Sequence, residues 1–466
     1  MVPGLPSVSS YMLFRSLCRS AEIGANSYLL DTGKARVVLD AGLHPKHDGL
    51  EGVPRYDLLE DGSIDSVVVT HAHLDHIGSL PVLLNRQPQA KAFFSQAAAE
   101  LSTAMLHNSV NVMQAKRTEL GIVEYPLFTH RGIDELERVF ETRPLERPFE
   151  LDSEGTLIGT FHDAGHVLGS TGITMQANGH RVMYTGDVNF EDSTLIKGAR
   201  FPEEHVDALI IETTRGDSQR RPDYTRESEE LRFAEGIART LQRRGSVLIP
   251  VFAMGKTQEV LTMLHRFKKA GLIPKKTPIF IGGLSTKMTV IYDKYAKGRT
   301  RRSDDSFRIL EDMDLQAGNR KKAGPIPLNP GAIYCLSSGM MSENTVSNGF
   351  ARAGFLENPK NSLHFVGYAD PDSPAGHLRA AQTGEKVVLD SRYAPIARKC
   401  EMEIFDFSGH ATRESLLEFI LKVRPKKAFL VHGDPKASNW FKDQLREKLP
   451  ATESIIPEPG VDYRID

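Results

Sequence analysis

The stretch His71-Ala72-His73-Leu74-Asp75-His76 packs four potential metal ligands into six residues. Three imidazoles and a carboxylate at this spacing suit transition-metal binding, and a polar surface loop has no need of them. The preceding run, Asp65-Ser66-Val67-Val68-Val69-Thr70, is β-branched and reads as a buried strand. The cluster therefore sits where a strand ends and a turn begins. Residues two apart in an extended segment point the same way, so His71 and His73 can reach one metal. Asp75 and His76 lie past the bend and can face a second.

Further polar residues stand at other strand ends. His166 follows Phe161-His162-Asp163-Ala164-Gly165, and Asp187 follows the strand Val182 to Tyr184 and a glycine. Glu403 to Phe405 leads into Ser408-Gly409-His410, and Ala428 to Val431 leads into His432-Gly433-Asp434. Two zinc ions fit this inventory. One takes His71, His73 and His166, the other takes Asp75, His76 and His432, and Asp187 can bridge them. Manganese can also occupy a His/Asp site, because geometry and availability both matter. Two ions ~3.5–4 Å apart can bind a hydroxide nucleophile and clamp a phosphoryl oxygen. His410, left over after ligand assignment, is the candidate proton donor to the leaving oxygen. A plain turn-capping histidine is the alternative. Asp40 ends the strand Arg36 to Leu39 beside Ala41-Gly42. It reads as a turn residue or as a carboxylate that orients a ligand histidine.

The chain that must position these groups has 466 residues, enough for two or more domains. Its 40% hydrophobic and 25% charged content is that of a soluble globular protein. The net charge of −2 gives no global sign of nucleic-acid binding, though a local basic groove would suffice. Cys18, Cys335 and Cys400 are far apart, so no disulfide framework or thiolate zinc site is indicated and a reducing cytoplasm is expected. No apolar run approaches membrane-spanning length.

Residues 11–70 read as a β-meander with tight turns, and Ser95 as the N-cap of a helix through Ala97, Leu101, Ala104 and Met105. Residues 125–160 read as strand-like. From about residue 206, strands at Ala208 to Ile211, Val247 to Phe252, Pro278 to Ile281, Ala332 to Leu336, Leu363 to Val366 and Lys386 to Leu389 alternate with helices. One helix has the face Leu231, Ala234, Ala238 and Leu241. This alternation predicts a second domain with a mainly parallel sheet. Residues 297–330, with Lys297, Arg299, Arg301, Arg302, Arg320, Lys321 and Lys322, read as a long loop, either solvated or a basic rim facing nucleic acid.

In order along the chain, Asp40, the His71–His76 cluster, His166 and Asp187 resemble the first four motifs of the metallo-β-lactamase fold. Glu212, His410 and His432 resemble motifs A, B and C of its β-CASP group. Pro250-Val251-Phe252-Ala253-Met254-Gly255-Lys256-Thr257-Gln258-Glu259 and Ser337-Ser338-Gly339-Met340 resemble segments of the RNA 3′-end-processing branch, which holds mRNA cleavage nuclease subunits and bacterial relatives. A bacterial type is expected. The resemblance implies an α/β fold: a metallo-β-lactamase αββα sandwich with an inserted β-CASP domain. Its expected bounds are residues 1–206 for the first part of the sandwich, 207–395 for the insert and 396–466 for the return. The implied activity is a zinc-dependent ribonuclease acting on single-stranded RNA with a metal-bound hydroxide, in a cleft between the two domains. By the same analogy Glu212 orients His410, while Glu212 and His432 favour RNA over DNA. Ser338 and Gly339 would help bind a phosphate through the backbone N–H groups of a small-residue turn.

Motif A departs from the family pattern, because Arg215 replaces an aromatic residue and becomes a candidate substrate contact. With no additional RNA-binding module expected, RNA affinity must come from the two domains or from a homodimer. A DNA nuclease, another metallo-hydrolase on the same scaffold, or a non-catalytic RNA-processing scaffold are the alternatives.

Overall fold

In the computed structural model, which describes residues 11–297, 307–318 and 326–465, the β-branched run before the histidines is the strand Ser66–Val68, wholly buried. It belongs to the first of two compact units. That unit takes the chain up to Glu191, Gly198–Gln219 and the chain from His410 onward. The second takes Asp192–Lys197 and Arg220–Gly409.

The first unit contains two seven-stranded sheets. One has the spatial order Asp462–Arg464, Leu13–Ser16, Tyr28–Asp31, Arg36–Leu39, Ser66–Val68, Lys91–Phe94, Phe140–Thr142. The other has the order Glu453–Ile455, Lys427–Val431, Ala208–Glu212, His180–Tyr184, Thr171–Ala177, Ile158–Asp163, Pro148–Glu150. Side chains alternate between faces along a strand, and that alternation builds the layers. Val182, Tyr184, Ala208, Ile210 and Phe429 meet Phe14, Leu30, Val37, Leu39 and Val68 between the sheets. Their neighbours Met183, Leu209, Ile211, Ala428 and Leu430 face outward onto the helices Arg413–Val423 and Pro435–Lys448. Each fully buried large apolar side chain contributes roughly 1.5–3 kcal/mol. The helix Gln96–Leu120 packs by the strands Lys91–Phe94 and Phe140–Thr142, and Ser95 caps it by accepting from the Ala98 N–H at 3.2 Å. The result is the αββα sandwich.

The second unit contains a six-stranded sheet in the order Leu315–Gly318, Ile279–Gly282, Ile333–Leu336, Val247–Pro250, Ser362–Phe365, Glu401–Ile404, with every pairing parallel. Its central strands are buried on both faces, which explains their unbroken apolar sequence. Val247, Ile249, Ile281 and Cys335 pack on one side, and Leu248, Phe280, Tyr334 and Leu336 on the other.

Several local expectations give way. Residues 130–136 form a helix capped by Thr129, not a strand. Lys386–Val387 is a two-residue strand paired with Ile396–Ala397, outside the large sheet. Within 297–330, Ile309–Asp312 is a helical turn and Leu315–Gly318 an edge strand, while Arg299, Arg301, Arg302, Arg320, Lys321 and Lys322 lie outside the described residues. The helix Arg226–Gln242 buries Phe233, Ala234, Ile237 and Thr240 and leaves Leu231 exposed, because the Phe233–Ile237 pair offers the larger apolar stripe. Ala208–Glu212, read as the first strand of the insert, pairs between His180–Tyr184 and Lys427–Val431 in the first unit. Glu401–Ile404, read as part of the return, pairs with Ser362–Phe365 in the second. No helix among the described residues is long and apolar enough to cross a membrane.

Candidate metal centre

The ligand-bearing turn hangs from the strand Ser66–Val68 and is fixed by Asp40. Asp40 is fully buried and sits at φ 58°, a left-handed conformation that costs of order 1 kcal/mol or more outside glycine. Its backbone N–H donates to Val68 O at 2.8 Å. Its Oδ1 accepts from the Thr70 N–H at 2.8 Å, and its Oδ2 accepts from the Thr70 hydroxyl at 2.9 Å and the Tyr184 hydroxyl at 2.7 Å. His76 Nδ1 lies 2.7 Å from the same Oδ2. A carboxylate only accepts, so Nδ1 of His76 carries the proton and Nε2 keeps its lone pair. The amide Nδ2 of Asn26, 3.1 Å from that Nε2, agrees with this tautomer. Thr70, having given its hydroxyl proton to Asp40, accepts from His71 Nδ1 at 3.1 Å, which leaves His71 Nε2 free as well. One carboxylate thus sets the ligand tautomer of a histidine in each cluster. Asp40→Asn is therefore expected to weaken metal binding 10–100-fold, read by competition with a chromogenic chelator, with the fold retained.

The remaining residues arrive from other strand ends. Gly165 precedes His166 at φ 66°, and a Cβ there would lie 2.4 Å from Asn189 O, so the close approach requires glycine. Asp187 follows His180–Tyr184, and its two oxygens face different clusters. Oδ2 lies 3.5 Å from His71 Nε2 and 3.6 Å from His166 Nε2. Oδ1 lies 3.3 Å from His76 Nε2 and 2.8 Å from His432 Nδ1. His73 Nδ1 stands 3.0 Å from His71 Nε2 and 3.2 Å from His166 Nε2. His432 Nε2 stands 3.4 Å from Asp75 Oδ2, and His432 has the left-handed φ of 47°. The structure brings together both sequence-predicted ligand sets, and one oxygen of Asp187 faces each.

These separations fit metal ions. Ligand atoms ~2.0–2.1 Å from a tetrahedral zinc stand ~3.3 Å from one another. Asp187 Oδ1 and His432 Nε2 are buried and make no hydrogen bond among the described residues, an arrangement that costs ~1–3 kcal/mol per group unless something coordinates them. The buried carboxylates and imidazoles shift one another strongly. Burial and the neighbouring His76 hold His71 well below the usual histidine range. For Asp187, burial works against ionisation, but His432 and His76 outweigh it and hold the carboxyl well below its usual range. In the same way Asp187 overcomes the effect of burial on His432 and raises it to about 10.

Glu212 closes the strand Ala208–Glu212, is buried, and accepts from the Val188 N–H at 2.6 Å. Its Oε2 lies 3.0 Å from His410 Nδ1. His410 Nδ1 is 4.0 Å from Asp187 Oδ2. Burial lowers His410, but the Glu212 and Asp187 carboxylates outweigh it, so the imidazole is held above its usual value. Asp187, Glu212 and His410 also have the spacing of a cation site. Here, however, Nδ1 is engaged with Glu212, and Oδ2 already faces His71 and His166. Arg215 is half-buried in the first unit, on the segment after Glu212. Ser338 and Gly339 lie in the second unit.

Sequence reasoning missed Thr70, Tyr184 and Asn26. Thr70 and Tyr184 border recognised motifs, which is a usable signal. Asn26 has none, since it reaches His76 only through the fold. Glu22, His44 and His47 form a further gathering with the spacing of a cation site, away from the ligand sets above. His44 Nδ1 accepts from the Lys46 N–H at 3.1 Å, so the ring proton sits on Nε2, facing Glu22 Oε1 at 3.5 Å.

Comparison with known proteins bears on the family. Residues 21–233 match the metallo-beta-lactamase superfamily, 257–378 the Beta-Casp domain, and 395–457 the Zn-dependent metallo-hydrolase RNA specificity domain. The chain is 29% identical to Probable RNase MJ4 of Methanocaldococcus jannaschii, over 95% of this chain and 98% of that one. It is 29% identical to Transcription termination factor FttA of Pyrococcus horikoshii, over 89% of this chain and 65% of the relative. It is 26% identical to Cleavage and polyadenylation specificity factor subunit 3 of Dictyostelium discoideum, over 96% and 56%. The chain thus spans little more than half to two thirds of the last two. A crystal structure of a protein of unknown function from Enterococcus faecalis shares the fold, with a TM-score of 0.57 at 13% identity, covering 97% of this chain and 100% of that one. With the ligand geometry above, the three matched stretches place the chain among the metal-dependent hydrolases of the metallo-β-lactamase superfamily that carry Beta-Casp and RNA specificity domains.

Proposed function

We propose that the protein is a zinc-dependent ribonuclease that hydrolyses phosphodiester bonds of single-stranded RNA, of the RNA 3′-end-processing kind. The observation that carries the reading is the pair of His/Asp clusters with the Asp187 carboxylate facing both, and the Glu212–His410 pair beside it. The RNA specificity match and the names of the relatives support RNA as the polymer.

Two zinc ions, when bound, supply acidification of a water and Lewis-acid withdrawal of charge from a phosphoryl oxygen. The chain's own residues do the rest. His71, His73 and His166 would hold one ion and Asp75, His76 and His432 the other, with the Asp187 carboxylate facing both sets. Asp40 keeps two of the histidines in the ligating tautomer. His410, protonated and oriented by Glu212, stands ready to give a proton to the departing oxygen.

Side-by-side assays on labelled single-stranded RNA and DNA of one sequence test the reading. RNA is expected to be cut, cleavage to stop on chelation, and zinc or manganese to restore it. Equal or faster cleavage of DNA would replace this reading with a DNA nuclease. No cleavage of several RNAs by the metal-replete protein would sink it.

A further inference from the structure

An exposed aromatic ring stands at the carboxyl edge of the second unit's parallel sheet. Ligands of open parallel sheets bind at that edge. Val247–Pro250 and Ile333–Leu336 are adjacent there, with Pro250 opposite Leu336. Pro250 and Val251 are buried, yet Phe252 is 36% exposed. Its backbone is not loose. The Phe252 carbonyl accepts from the Thr257 N–H at 3.1 Å and the Thr257 hydroxyl at 2.7 Å, which pins the turn and aims the side chain.

The ring also has a fixed seat. A Cβ on Gly339 would lie 3.1 Å from both Cδ2 and Cε2 of Phe252, so that edge of the ring rests against the glycine's backbone. Gly339 belongs to the turn Ser337–Met341, closed by the Met341 N–H donating to Ser338 O at 3.2 Å. The N–H groups of Gly339 and Met340 donate to no group among the described residues. Unengaged N–H groups beside an exposed ring that is seated against the same turn are complementary to the two halves of a nucleotide: phosphate on the turn, base on the ring.

We propose that Phe252 is a base-stacking platform for single-stranded RNA. The proposal rests on the RNA reading above and adds the residue that receives a base. Stacking tolerates any base, because every base has a π-face. It therefore predicts a positional requirement for a base and no sequence code.

The test is binding of a fluorescent, cleavage-resistant phosphorothioate RNA to the zinc-loaded full chain, using a set of RNAs that each lack one base. With the natural residue, one position is expected to weaken binding about ten-fold or more when its base is missing. Phe252→Ala is expected to weaken binding of the intact RNA by the same factor and to erase sensitivity at that position. Phe252→Trp is expected to keep both. Gly339→Ala, which pushes on the ring edge, is expected to fall between. Unchanged binding by Phe252→Ala, or a missing-base penalty that persists in it, overturns the proposal. Base-dependent binding without cleavage of ordinary RNA would sink the ribonuclease reading and leave the platform standing. Cleavage with Phe252-independent binding would do the reverse. A chain that binds no RNA overturns both.

Discussion

Asp187→Asn is expected to lower kcat/KM on RNA by about 10³-fold or more, with metal content falling well below that of the wild type. The two oxygens of Asp187 face both ligand clusters, 3.3 and 2.8 Å from His76 and His432 and 3.5 and 3.6 Å from His71 and His166. The amide keeps the shape but loses the negative charge and replaces one acceptor with a donor. It then confronts four imidazoles without neutralising cations among them. Loss of a two-metal clamp removes several kcal/mol of transition-state stabilisation, and ~4 kcal/mol corresponds to ~10³ in rate. Single-turnover cleavage and elemental analysis read the two effects together. Near-normal cleavage with a full metal complement would show that Asp187 bridges nothing.

The second large effect concerns His410. His410→Ala is expected to reduce kcat on RNA by ~10²–10⁴-fold, the usual range for a positioned acid, while metal content stays at the wild-type level. The distinction from Asp187 follows from contacts. His410 Nδ1 is 3.0 Å from Glu212, which is itself held by the Val188 N–H, and His410 belongs to neither of the two ligand sets, His71/His73/His166 and Asp75/His76/His432. A nitrophenyl phosphodiester supplies the control, because its leaving group departs as an anion and needs no proton. The variant's deficit is expected to shrink sharply on that ester. An equal deficit on both substrates would assign His410 a structural or ligating role instead. Glu212→Gln is expected to follow the same pattern with a smaller loss, 10–100-fold, because it acts through the imidazole.

Much of the candidate site was legible because its residues obey local rules. His71 to His76 declare themselves by spacing, and His166, Asp187, His410 and His432 by a glycine next to a polar residue at a strand end. What links them is not local. Asn26 faces His76 across 50 positions of sequence, and Tyr184 reaches Asp40 across 144. The same limit applies to strands. Ala208–Glu212 and Glu401–Ile404 are recognisable as strands, but pairing partners decide which unit each joins, and pairing is set by topology. Leu231 misled because apolar spacing identifies a helix face only when the larger residues, here Phe233 and Ile237, are weighed. The pairing of Glu212 with His410 was expected by resemblance alone, and the structure supplies its distance.

The most direct test is a titration of zinc into metal-free protein, with bound metal per chain and single-stranded RNA cleavage measured on the same samples. Two ions per chain are predicted, with cleavage absent at the start and rising as the second equivalent fills the pair joined by Asp187. Full cleavage by protein stripped of metal, or no RNA cleavage once two ions are bound, would contradict the account.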